Sequence, residues 1–344
     1  MTSRELVRRA LKGEPTPRPA VGPLAVHCTA RLAGVSLREF TLDAGMLADC
    51  VVRYHREFQP DAIWLSADTW VSAEAMGAKV AFPGDNQPMG GTGEPLIQSA
   101  ADIARIPPPD PTKQGRWPLM LDALRRIRRA VGPDVFVVAC FDQYPFSLAC
   151  AVLGIERAMM AAMEDRPLLE QLLERCADYS VAYAGALAEA GADMLSGGDS
   201  PAALLGPELH REIAFRFEQQ VIARLKATTS LPVSLHVCGN AAPLLPALAQ
   251  SGADVLELDQ RTDMREACRV IPRNVAIWGN LDPVAVLAQG TPAGVTSAAQ
   301  NFLQTMSEAE HRRFVLSSGC TLAMETPPAN LHALIHAAKH FTAT

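Results

Sequence analysis

The chain predicts a (β/α)8 barrel on three observations. Eight short apolar runs recur along it, and most are separated by stretches with apolar residues at helical spacing. The strands read as near-continuous apolar segments, as in a parallel sheet covered by helices, rather than as alternating ones. The 344 residues exceed the usual barrel of about 250 by enough for one sizeable insertion. An open doubly wound sheet is the alternative.

In chain order, "MTSRELVRRALKGEPTPRPA" reads as an amphipathic helix and a Pro-rich entry, without the apolar core and cleavage site of a secretory signal. The expected strands are "AVGPLAVHC" (20–28), "DAIWLSA" (61–67), "DVFVVACF" (134–141), "ADMLSGG" (192–198), "PVSLHVCG" (232–239), "ADVLELD" (253–259), "NVAIWGN" (274–280) and "RFVLSSGC" (313–320). Residues 166–192, "RPLLEQLLERCADYSVAYAGALAEAGA", show the intervening helical pattern most clearly. The long insertion follows the second strand, at residues 68–118. Its "MGAKVAFPGDNQPMGGTGEPL" suggests a β-hairpin, and its length and place suggest that it covers part of the barrel mouth. The glycines of "GGTGEP" follow no strand and open no helix, so they mark a turn and not a dinucleotide loop. The whole is expected to be one domain.

A net charge of -6 argues against a nucleic-acid surface. No apolar run approaches the roughly 18 residues of a membrane span. The eight cysteines lack framework spacing, which points to a reducing, cytoplasmic setting.

Barrel chemistry gathers at the C-terminal ends of the strands. There lie His27, Cys28, Asp68, Asp142, Tyr144, Asp199, His236, Cys238, Glu257, Asp259, Asn280, Asp282 and Cys320. In "SLHVCGN", His236 and Cys238 share one side of a strand because side chains alternate with period two. An imidazole and a thiolate together are borderline-soft ligands suited to zinc, and Cys320 at the end of the last strand could supply a third. Spacing alone leaves open that Cys238 and Cys320 are small core residues. No CxxC pair supports a closed four-cysteine site. Cys28 and Cys140 read more simply as buried packing. His332, His336 and His340, four apart on the last helix, read as exposed imidazoles. Asp142 and Tyr144 have either a pocket role or a capping one.

These segments resemble the uroporphyrinogen decarboxylase superfamily, and within it the methylcobalamin:coenzyme M methyltransferases. The likeness runs through "GAKVAFPGDNQP" with "EPLI" after it, "PPPDP", "PFSLA" (145–149), "HVCGN" and "SGCTLAMETPPANL". In the methyltransferase branch the His-x-Cys pair and the later Gly-Cys bind zinc, so the resemblance implies that His236, Cys238 and Cys320 do so here. It also implies a corrinoid as methyl carrier, free or on a small protein, and a thiol or tetrahydrofolate as acceptor. Glu257 and then Asp199 are the expected groups for the fourth metal position, and Asp142, Tyr144 and Asn280 are expected to line the cofactor pocket. The decarboxylase branch carries an Arg-rich N-terminal motif and a catalytic Asp. The matching "GPLAVHCTARLAG" has only Arg31 and no Asp.

Overall fold

The computed structural model describes residues 1–91 and 93–341. Seven parallel strands form one sheet in the order β1 (Ala62–Leu65), β4 (Phe136–Gln143), β5 (Met194–Gly198), β6 (Ser234–Val237), β7 (Val255–Leu258), β8 (Ala276–Leu281) and β9 (Phe314–Ser318). Two further strands, β2 (Val80–Ala81) and β3 (Met89–Gly90), pair antiparallel as the hairpin expected within the insertion. The order is sequential because each strand returns to its neighbour through a helical crossover.

Strand alternation divides the apolar residues into two cores. Ala62, Trp64, Phe136, Val138, Met194, Val255, Ala276, Trp278 and Val315 share one parity and form the inner core. The helix Ser3–Lys12 closes that core from below with Leu6, Val7, Ala10 and Leu11. Ile63, Leu65, Val137, Ala139, Leu195, Leu256 and Ile277 have the other parity and pack under the surrounding helices. A sheet with a filled inner face of this kind is curled, and its inward residues near the strand ends face one opening.

The first expected strand is corrected. Only residues 20–22 join the sheet: Val21 bridges Leu316, the Gly22 amide donates to the Leu316 carbonyl at 3.0 Å, and the Asp61 amide donates to the Val21 carbonyl at 2.8 Å. Pro23 has no N–H to continue the ladder, and a helix begins at His27 (His27–Ala33). His27 and Cys28 are therefore in a buried helical turn and not at a strand end. His27 is held through Nε2 by the Ala67 carbonyl at 2.6 Å.

The short segment still links β9 to the residue before β1, and it does so through close contact. A Cβ on Gly22 would lie 2.8 Å from Ala62 Cβ and 2.8 Å from Trp278 Cζ2. Gly22→Ala is therefore expected to cost about 1–3 kcal/mol by overpacking. Urea denaturation will read this, and a variant as stable as the parent would refute the close-fit account.

The insertion is tied to the helix Leu37–Leu42, where Asp85 accepts from the Leu37 amide and the Phe82 carbonyl accepts from Arg38. No single helix among the described residues is long and apolar enough to cross a membrane.

Candidate active site

The strand ends that bring His236 and Cys238 to one side also bring Cys320 to them from the turn after β9. His236 Nε2 is 2.7 Å from Cys238 Sγ, and Cys238 Sγ is 3.1 Å from Cys320 Sγ. The three donor atoms lie within 4.8 Å of one another. Among the described residues this is the one His, Cys, Asp and Glu group with metal-binding geometry.

The backbone around them is tied down. Ser200 Oγ accepts from the Cys238 amide at 3.1 Å, and Asp259 accepts from the Gly239 amide at 2.8 Å. Burial opposes a charged imidazole, but Cys320, Glu257 and Asp259 outweigh it and raise His236 to about 9. Cys238, and after it His236, hold the Cys320 thiol down at about 4, while Cys320 and burial push Cys238 up. The chain therefore already favours one thiolate at this point. Two sulfurs and an imidazole fit a borderline-soft dication, with one tetrahedral position left for another ligand.

Glu257 stands on the other side of the ring. Its Oε2 is 3.7 Å from His236 Nδ1, while its Oε1 accepts from Ser196 at 2.7 Å and from Ser234. Burial raises its carboxyl above the usual range. It is not part of the three-donor group, because the ring separates it from the sulfurs.

The other expected site residues divide. Asp142 lines the cavity above the three donors. Its Oδ2 accepts from the Ser72 amide at 2.9 Å, its Oδ1 is buried without a partner, and its backbone sits at φ 76°. Asp199 is corrected as a metal-side group: it is fully buried, outside the cavity lining, and its Oδ1 accepts from the Ser147 amide and hydroxyl at 2.7 Å. Tyr144 is corrected too, since its buried phenol donates to the Ser234 carbonyl at 2.8 Å. Asn280 likewise leaves the pocket list. Its amide donates to the Asp259 and Thr262 carbonyls at 3.0 and 2.9 Å and fastens the turn after β7.

Cys140 lines the cavity, against the packing expectation, whereas Cys28 is buried as expected. His332, His336 and His340 are exposed.

The cavity has a volume of about 350 Å³. Leu24, Val26 and Trp64 form apolar wall, and Ser147, Ser196 and Ser200 supply hydroxyls. Of residues 68–118, only Thr69 and none of the hairpin lines it among the described residues. The insertion acts here by bracing: its Arg116 pairs with Asp68, and its Ser72 amide holds Asp142. Sequence reasoning missed Ser196, Ser234, Ser200 and Trp64. Strand parity was a signal for three of them, because Trp64, Ser196 and Ser234 share the inward parity of Phe136 and His236.

Asp142 carries a test of its environment. Burial, with Asp68 adding to it, lifts its carboxyl to about 7 from 3.8. A carboxyl raised on folding stabilises fully below its unfolded value, and that contribution is lost as pH rises through the folded value. Asp142→Asn is therefore expected to be more stable than the parent at pH 8, by up to roughly 3–4 kcal/mol, with the gap closing toward pH 4. A gap that does not change with pH in urea denaturation would contradict the burial account.

The chain belongs to the uroporphyrinogen decarboxylase family, whose profile matches residues 2–341. It is 28% identical over 345 residues to a methylcobamide:CoM methyltransferase of Methanosarcina acetivorans, covering 99% of this chain and 98% of that one. It is also 27% identical over 350 residues to a uroporphyrinogen decarboxylase of Prochlorococcus marinus, covering 97% and 96%. A solved methyltransferase structure from Methanosarcina mazei superposes with a TM-score of 0.88 at 26% identity, covering 98% of each chain.

Proposed function

We propose that this protein is a zinc-dependent methyltransferase that moves a methyl group from a methylated corrinoid to a small thiol. The observation that carries the reading is the convergence of His236 Nε2, Cys238 Sγ and Cys320 Sγ beside a small cavity. It occurs in a chain that aligns almost end to end with a methylcobamide:CoM methyltransferase. The finer architecture proposed is one closed (β/α)8 domain, with residues 20–22 as its short eighth strand. The free state of all eight cysteines fits a reducing, cytoplasmic setting.

Zinc held by His236, Cys238 and Cys320 would deprotonate an acceptor thiol at neutral pH and keep its sulfur nucleophilic. The protein's own groups do the rest. Cys238 and Cys320 contribute negative charge, so the acceptor sulfur is not drained of electron density. Ser196 and Ser234 hold Glu257 on the Nδ1 side of His236, 3.7 Å away, where its charge favours the ring orientation that turns Nε2 to the sulfurs. Walls of Leu24, Val26 and Trp64 exclude water and aim the thiol toward the mouth. The corrinoid would supply the methyl group: transfer would make a sulfur–carbon bond and break the donor's carbon–cobalt bond, with the electron pair left on the donor and the thiol proton lost to solvent.

A decarboxylase acting on a macrocycle with many carboxylates needs cations, and no Lys or Arg lines this cavity among the described residues. The test is anaerobic incubation of zinc-loaded protein with methylcobalamin and a panel of thiols, followed by absorbance. Demethylation is expected only with thiol present, and it should stop on chelation and return with zinc. Turnover of uroporphyrinogen, or thiol-dependent demethylation indifferent to chelation, would overturn the reading.

A further inference from the structure

The charge of the cavity says which thiol belongs in it. Among the described residues its lining contains no Lys or Arg, and its one imidazole, His236, is committed to Cys238. It contains two carboxyl groups, Asp142 and Glu257. Backbone amides at helix starts could have received an anion, but the chain has already filled them with its own acids. The Ser72 amide, near the start of Val71–Met76, donates to Asp142 Oδ2 at 2.9 Å. The Ser147 amide, near the start of Pro145–Leu153, donates to Asp199 Oδ1 at 2.7 Å. Arg116, whose charge is felt at Asp142, is buried and paired with Asp68 and Glu74. A sulfonate or carboxylate entering this cavity would lose its water and meet no compensating charge.

The unpaired groups point to a ligand of the opposite kind. Asp142 Oδ1 and Gln143 Oε1 are buried acceptors with no donor among the described residues, and both residues line the cavity. Buried acceptors are normally satisfied, so a ligand that brings an N–H or O–H completes them.

We propose that the cavity selects a small thiol whose tail is cationic or uncharged and donates a hydrogen bond to Oδ1 of Asp142, and that it disfavours thiols with anionic tails. The proposal rests on the methyl-transfer reading for its thiol and adds the acceptor's chemical class. It separates this chain from a preference for coenzyme M, which is 2-mercaptoethanesulfonate.

Three thiols of matched length test it: 2-aminoethanethiol, 2-mercaptoethanol and 2-mercaptoethanesulfonate. Each is titrated anaerobically into protein loaded with Co(II) in place of zinc, where sulfur binding is read from the sulfur-to-cobalt charge-transfer band without any methyl donor. At pH 8, above the value of about 7 to which burial lifts Asp142, the amine and the alcohol are expected to bind roughly tenfold or more tightly than the sulfonate, since one ionised carboxylate in a cavity supplies about that. Asp142→Asn is expected to weaken the amine by about tenfold and to narrow its lead over the sulfonate. Equal or tighter binding of the sulfonate overturns the proposal, and so does a band that none of the three thiols moves. If the ranking holds but no thiol demethylates methylcobalamin on the zinc protein, the binding preference stands and the methyl-transfer reading falls.

Discussion

Cys320→Ala is expected to hold less than a tenth of the parent's zinc after dialysis and to lose thiol-dependent demethylation by on the order of 10³-fold. The reason is the geometry of the pair. Cys238 and His236 hold the Cys320 thiol below its ordinary range, and its loss removes the sulfur against which Cys238 and His236 are arranged. Cys320 is part-exposed in the turn after β9, outside both apolar cores. The fold should therefore change by no more than about 1 kcal/mol. Zinc analysis and circular dichroism on the same preparation separate the two effects. Full zinc occupancy in the folded variant would end the ligand assignment. Loss of zinc together with loss of fold would show instead that the turn is structural.

Arg116→Ala is expected to destabilise the protein by about 3–5 kcal/mol, because it strands a buried charge. Arg116 and Asp68 are each 6% exposed and meet through two bonds, one of 3.1 Å from Nη2, while Nε reaches Glu74 at 2.6 Å. With the guanidinium gone, Asp68 faces Asp142 without a counterion, and the cavity carboxyl is pushed higher still. Adding Asp68→Asn to Arg116→Ala removes the stranded charge and is expected to recover part of the loss. Urea denaturation of the two variants decides it, and a single variant within about 1 kcal/mol of the parent would mean the pair is not buried in solution.

These two clusters differ in how far they could be read from the chain. The grouping of His236, Cys238 and Cys320 was legible because a strand's period puts the first two on one side, and the family resemblance added the Gly-Cys that follows β9. The Asp68–Arg116 pair was not, because its partners are 48 residues apart and joined only by the fold of the insertion. Seven strands were legible because a sheet buried on both faces leaves continuous apolar runs. The eighth misled because "AVGPLAVHC" has the right composition, yet Pro23 breaks the ladder after three residues. Tyr144 and Asn280 misled differently: polar side chains at strand ends satisfied nearby backbone carbonyls rather than a ligand.

The 3.1 Å between Cys238 and Cys320 has a consequence for handling in air. A thiolate beside a second thiol needs only an oxidant to close a disulfide, giving up two electrons and the remaining proton. A metal ion seated between them would shield both sulfurs, so exposure to dioxygen is expected to harm the stripped protein far more than the loaded one. A preparation that has lost its zinc aerobically should thus stay inert when zinc alone is returned and recover when a reductant is given first.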